Sequence, residues 1–168
     1  MTNWRIRRLD GADVHIFRPL RLDALRLHPE AFAASYEDES EAPLDDLAAR
    51  LLLPPVAMFG GFVGDALVGA TGLHMPIRIK SRHKAVMFFV YVDPVHRRGG
   101  LGRALAETAV ACARDAGLRV VQLTVTVGND AARRLYLDLG FRAYGIDHRA
   151  LLVNGVMYDD ELMALDLD

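Results

Sequence analysis

One cysteine, Cys112, stands in a chain of 168 residues, so no disulfide can form within it. The six histidines are scattered without the paired spacing of a zinc site, and the chain reads as metal-free and suited to a reducing compartment. Long apolar runs are missing as well. The longest, Ala85 to Val92, falls far short of the roughly 20 residues that a membrane helix needs. The opening Met1-Thr2-Asn3-Trp4-Arg5-Ile6-Arg7-Arg8 lacks a signal peptide's apolar segment, so the sequence predicts a cytoplasmic protein with no membrane association. Charge of one sign is not in excess. A net charge of −2 supplies no field to draw in DNA or RNA, which argues against a nucleic-acid partner. Neither a Gly/Ser/Pro linker nor an internal repeat divides the chain, and residues 1–168 are expected to form one domain.

What is present is ordinary globular material: 52% apolar and 25% charged residues, with enough length to bury about 70% of the unfolded surface. Trp4 to Leu9 alternates apolar and charged residues, the pattern of a half-buried strand. Asp10 or Asp13 can cap a helix carrying Val14, Phe17 and Leu25 inward, and Pro19 should kink it or split it in two. After the carboxylates Glu30, Glu37, Asp38, Glu39 and Glu41, Pro43 suits the first position of a helix with Leu44, Leu47, Ala48 and Leu51 on one side. Pro54-Pro55 stops it. Met58 to Met75 reads as a hairpin turning near Gly64-Asp65. Val86 to Val92 is β-branched and aromatic without clean alternation, which predicts a central strand covered on both faces. A helix bearing Leu101, Ala104, Leu105, Thr108, Ala109 and Cys112 follows, then a strand from Val120 to Val127. Asn129 or Asp130 caps a helix with Ala132, Leu135, Tyr136 and Leu139 on one face, closed by Gly140. Arg142 to Leu151 and Met157 to Leu165 form a last hairpin across Asn154-Gly155. This order predicts an α/β (α+β) fold: a mixed central β-sheet flanked by helices on both faces.

The segment between the central strand and its following helix carries the chemistry: Val90-Tyr91-Val92-Asp93-Pro94-Val95-His96-Arg97-Arg98-Gly99-Gly100-Leu101-Gly102-Arg103. Glycines allow close backbone approach, and the unpaired amides of a helix's first turn favour a phosphate. A nucleoside-triphosphatase loop would need Gly-Lys-Ser/Thr, whereas Gly102 precedes Arg103-Ala104; a dinucleotide loop would need glycine where Leu105 stands.

Arg97, Gly100 and Gly102 match Arg/Gln-x-x-Gly-x-Gly/Ala, and Asn129, Ala132, Leu135-Tyr136 and Leu139-Gly140-Phe141 match a second motif at the expected distance. In both, and in His28-Pro29-Glu30-Ala31-Phe32 and Tyr158-Asp159-Asp160-Glu161-Leu162-Met163, the chain resembles the Gcn5-related N-acetyltransferase (GNAT) superfamily over nearly its whole length. Arg98-Gly99 reverses the order that many relatives show. The resemblance implies the acyl-CoA N-acyltransferase fold and direct transfer of an acetyl group from acetyl-CoA, as cosubstrate, to a small-molecule or peptide amine, with no metal. It implies that the backbone of Val90, Tyr91 and Val92 pairs with pantetheine, and that Arg97, Arg98, Gly99, Gly100, Leu101, Gly102 and Arg103 hold the pyrophosphate. Asn129 and Tyr136 would lie near the thioester. A non-catalytic acyl-CoA binding or sensing domain is the alternative.

An amine with a lysine-like pKa of about 10.4 costs roughly 4.6 kcal/mol to deprotonate at pH 7. A thiolate must then leave, and a phenol can protonate it, which makes Tyr136 the candidate acid against the alternative of a core tyrosine. No carboxylate or histidine lies on Val86 to Val92, so water or a loop residue must act as base; His74, Glu37 and Glu39 are weaker candidates. Cys112 falls on the core side of its helix and is a poor acyl carrier. The carboxylates from Glu30 to Glu41 would favour a cationic acceptor. The C-terminal strands offer an edge for a homodimer.

Overall fold

The computed structural model describes residues 3–168, and Met1 and Thr2 lie outside it. Seven strands form one sheet in the order β1-β2-β3-β4-β5-β7-β6: β1 Arg5–Arg8, β2 Val56–Val63, β3 Ala66–His74, β4 Lys84–Val92, β5 Val120–Thr126, β6 Arg142–Val153 and β7 Val156–Asp166. The helices are α1 Val14–Leu27, α2 Tyr36–Ser40, α3 Leu44–Leu51, α4 Leu101–Asp115 and α5 Asp130–Asp138. The sheet is mixed as expected: β4 pairs with β5 in parallel and each other neighbouring pair is antiparallel. One core lies between the sheet and the α4 side, built on Leu101, Leu105, Ala109, Val121, Leu123, Phe141 and Met163. The other lies against α1 and α3, on Phe17, Leu20, Leu47, Met58 and Phe89.

Turn chemistry explains the hairpins. Gly64 has a positive φ between β2 and β3, and Asn154-Gly155 has φ of 50 and 80° between β6 and β7, the left-handed pair of a tight hairpin turn. Two expectations need correction. Helix α1 is not divided at Pro19; it runs unbroken from Val14 to Leu27 with the proline on its exposed side, where water can take the freed carbonyl. Pro43 is the residue before α3 rather than its first residue, in extended geometry with φ −57 and ψ 144°. The carboxylate-rich segment adds a helix that periodicity did not suggest: α2, capped by the Ser35 hydroxyl accepting from the Asp38 amide at 3.0 Å. On α4 the buried line is Leu101, Leu105, Ala106, Ala109 and Ala113, while Ala104, Thr108 and Cys112 flank it.

Strand β4 lacks clean alternation for a reason other than simple double coverage. Its pairing with β3 slips between Ala70 and Gly72, and Phe89 takes φ 53°, a bulge. Ala85 and Met87 therefore belong to the α4-side core, whereas Phe88 and Phe89 both reach the α1 side. Gly72 leaves room for the Phe88 ring, which would have to shift to admit a Cβ 2.5 Å away.

Because Pro19 removes one helical hydrogen bond at an exposed site, Pro19→Ala should stabilise the chain. Proline costs about 3 kcal/mol in a helix interior, offset by its restriction of the unfolded chain, so a gain of about 1–2 kcal/mol is expected in urea unfolding. No gain would mean that the helix already accommodates the ring without cost.

Candidate active site

The parallel pairing of β4 with β5 covers only Lys84 to Val86 against Val120 to Gln122. Beyond it the strands part, since β4 stays paired with β3, across a slip at Ala70 to Gly72, while β5 stays paired with β7. The gap opens a cavity of about 1330 Å³, lined along one side by Val86 to Val92 and along the other by Leu123 to Asn129. The facing backbone edges carry donors and acceptors without a strand between them, so an extended amide-bearing ligand can complete the sheet there.

At the mouth of this gap α4 begins. Gly100 precedes its first residue with φ 82°, a left-handed conformation that glycine adopts without a Cβ penalty, and no side chain caps the helix. The first backbone bond of the turn runs from the Ala104 amide to the Gly100 carbonyl at 3.0 Å, which leaves the amides of Leu101, Gly102 and Arg103 for a ligand. These amides and the helix dipole, with Arg98 and Arg103 nearby, make an arrangement chemically able to cradle an anion. Arg103 is steadied by Asp138 of α5 at 3.2 Å.

Arg97 does something the motif alone does not reveal. Its Nε donates to the Val92 carbonyl at 2.8 Å, another nitrogen lies 3.1 Å from His28 Nε2, and its guanidinium sits 5.6 Å from the Tyr91 ring centroid. The side chain ties the end of β4 to the segment after α1. Gly99 is not part of the cavity lining; its carbonyl accepts from the Trp4 indole at 3.1 Å. Asn129 lines the cavity and uses its side-chain oxygen to cap α5 through the Ala132 amide at 3.4 Å.

Tyr136 also lines the cavity while only 6% exposed, its ring edge-on to Phe141 at 5.9 Å. Burial pushes its hydroxyl well above the ordinary phenol value, so it stays protonated wherever the protein works. Cys112 lies outside the cavity lining, and burial raises its thiol, which disfavours the thiolate. His74 and Glu37 are likewise outside the lining. Glu39 is inside it but committed, with both carboxylate oxygens 2.9 Å from the Arg21 guanidinium in a buried pair.

The Acetyltransferase (GNAT) family profile matches residues 22–141, well over half of the chain. The chain belongs to this family. Membership in the GNAT family accounts for the fold. GNAT relatives include the mycothiol acetyltransferase of Thermomonospora curvata, 33% identical over 82% of this chain and 46% of that protein, so the chain spans about half the length of the curated relatives it matches. Among solved structures, the yncA protein of Salmonella typhimurium with its cofactor acetyl-CoA superposes with a TM-score of 0.83 at 25% identity, covering 99% of this chain and 95% of that one. A GCN5-related N-acetyltransferase from Kribbella flavida gives 0.84 at 22% identity over 98% of both chains, a likeness of fold.

Sequence reasoning missed Arg21 and Arg50, and it placed His28, Phe32 and Asp160 only in the family resemblance, with no position at the site. Arg21, Arg50, His28 and Phe32 line its α1 side. Asp160, opposite cavity-lining Thr126 in the β5–β7 register, has a buried Oδ1 with no hydrogen-bond partner among the described residues. The signal available was the run of carboxylates Asp159-Asp160-Glu161 within a strand.

Gly102 offers a clean test of the cradle. A Cβ there would meet Val92 Cγ2 at 3.7 Å, an ordinary contact, and alanine favours the helix. Gly102→Ala should therefore keep or raise thermal stability yet weaken coenzyme A binding by about tenfold in calorimetry, an effect of blocked backbone approach. Full affinity in the folded variant would remove Gly102 from the cradle.

Proposed function

We propose that this chain transfers the acetyl group of acetyl-CoA directly to the nitrogen of a small-molecule or peptide amine. The observation that carries this reading is a single cavity in which the parted edges of β4 and β5 meet the uncapped start of α4. Pantetheine lies as an added strand along Val90, Tyr91 and Val92, and the pyrophosphate sits on the amides from Gly100 to Arg103, with Arg98 beside it. The mycothiol acetyltransferases support acetyl transfer, and the acetyl-CoA held by the Salmonella structure supports the cosubstrate.

The neutral amine attacks the thioester carbon, the C–S bond breaks, and the departing thiolate takes the Tyr136 proton in a transfer made uphill by the burial of that hydroxyl, the phenolate regaining its proton from solvent before the next turnover. A β4 amide at the parted edge stabilises the developing oxyanion. The proton lost by the acceptor nitrogen passes to solvent in the cavity, since β4 carries no carboxylate and Asp160, the register partner of Thr126, is not part of the lining. Burial holds the Asp160 carboxyl above its usual range, with Asp147 and Asp159 adding repulsion and the Thr126 hydroxyl offsetting part of the rise. The high thiol value of Cys112, away from the cavity, favours direct transfer over an acyl-cysteine.

Release of free thiol from acetyl-CoA across a panel of amines tests the reading; binding without release would instead favour the sensing alternative. Tyr136→Phe should lower kcat about a hundredfold with acetyl-CoA affinity nearly constant. Equal losses in rate and affinity would assign Tyr136 to binding.

Asp160 also makes a stability prediction. Since its carboxyl is raised in the folded state, folding favours the protonated form. Its ionisation weakens the fold as pH rises, and the difference disappears below the unfolded value of about 3.9, where both states hold the proton. Asp160→Asn should melt higher than the parent near pH 7, with the gap closing by about pH 3. A gap of constant size would place its cause outside this ionisation.

A further inference from the structure

The α1-side wall of the cavity is built from charges that do not cancel. Arg21 and Glu39 face each other in a buried bidentate pair, their side chains 7% and 5% exposed. The Arg21 guanidinium also lies 4.6 Å from the centroid of the Phe89 ring. Glu39 is thereby spent on Arg21, and cannot serve a second cation without leaving a buried arginine unpaired. Arg50 reaches the same wall from α3. Its nearest carboxylate oxygen, Glu39 Oε1, is 3.9 Å from Nη1, beyond hydrogen-bond distance, and its side chain is 52% exposed at the cavity. The local sum is two guanidiniums against one carboxylate, and Arg50 retains its planar fork of donors.

The position of this excess relative to the chemistry is fixed by Phe89. Phe89 is the bulge residue of the parted strand, so the wall carrying Arg21, Glu39 and Arg50 adjoins β4 one residue before Val90, where the run proposed to pair with pantetheine begins. Toward β5 stand Thr124 and Thr126, with the Glu30 carbonyl accepting from the Thr126 hydroxyl at 2.8 Å, Tyr158 also in the lining and Asp160 the register partner of Thr126. One wall is cationic and the other offers hydroxyls. An alkyl ammonium seated on the Arg50 wall would meet repulsion, whereas a carboxylate there would find an unused fork.

The geometry points to an acceptor that carries a carboxylate close to its amine, an amino acid in the simplest case, with Arg50 reading the carboxylate and the amine directed toward the Thr126 wall. This rests on the acetyltransferase reading of the same cavity. It also reverses the cationic preference expected from the carboxylates of residues 30–41: among these, Glu37 is outside the cavity and Glu39 is neutralised by Arg21.

The experiment measures thiol release from acetyl-CoA with a panel of amino acids, each compared with its own amide and with the matching amine that lacks the carboxylate. For the best amino acid, kcat/KM should exceed that of its amide by about tenfold, the scale of a charge-assisted hydrogen bond, even though the amide's nitrogen is the less basic and easier to deprotonate. Arg50→Gln should collapse this ratio toward one through a higher KM for the amino acid, and Arg50→Glu should invert it. Arg82→Gln, on the distant exposed loop before β4, should leave the ratio as it is. Thiol release with no preference for the carboxylate, or a preference that survives Arg50→Gln, overturns the proposal and spares the acetyltransferase reading. No release with any member of the panel, together with no binding of acetyl-CoA, overturns both.

Discussion

Two neighbouring strands that agree for three residue pairs and then separate impose the main constraint on this molecule. Strand β4 is committed to β3 by antiparallel pairing and β5 to β7, so neither can follow the other past Val86 and Gln122. Unpaired backbone groups in the middle of a sheet are costly unless water or a ligand meets them. The opening is held by the bulge at Phe89, where a bulky side chain adopts a left-handed backbone at a cost of order 1–3 kcal/mol. Its surroundings hold it there: the Phe89 ring packs edge-on to Phe17, near Phe32 and Tyr91, under the Arg21 guanidinium. The aromatic cluster against α1 and the open edge of β4 are two sides of one arrangement.

Charge in this protein is meaningful only once partners are known. A count along residues 30–41 gives an acidic patch, but Glu39 is drawn into the core by Arg21, eighteen positions earlier in the chain, and the rest of the segment follows as a short capped helix. A similar conversion affects Arg97. Its motif position suggests a hand reaching for phosphate, yet its side chain secures the end of β4 and His28. Backbone donors fixed by a helix start need no side-chain reorganisation when an anion arrives.

The parts of the fold visible in the sequence are those encoded by local chemistry. Gly64-Asp65, Asn154-Gly155, the Asn129 cap and the Gly100 turn each depend on a few adjacent residues and lie where their residue types placed them. The mixed sheet follows from the order of elements. The irregular pattern of Val86 to Val92 was visible too, but it fits either a doubly covered strand or a bulged one, and only the slip against Ala70 and Gly72 distinguishes them. Of the cavity lining, Gly100, Gly102 and Tyr136 were visible in the sequence as motif residues. The places of Arg21, Arg50 and Asp160 were not, because their significance comes from burial and from contacts between α1, α2, α3 and the last strands, none of which has a short-range signature.

The hydrogen bond from the Trp4 indole to the Gly99 carbonyl joins the start of the chain to the cradle loop across 95 positions. Since Trp4 is the only tryptophan in the sequence, the chain carries one indole fluorophore, and it touches the loop next to the anion cradle. Its emission is thus an intrinsic optical readout of that loop, free of background from any other indole.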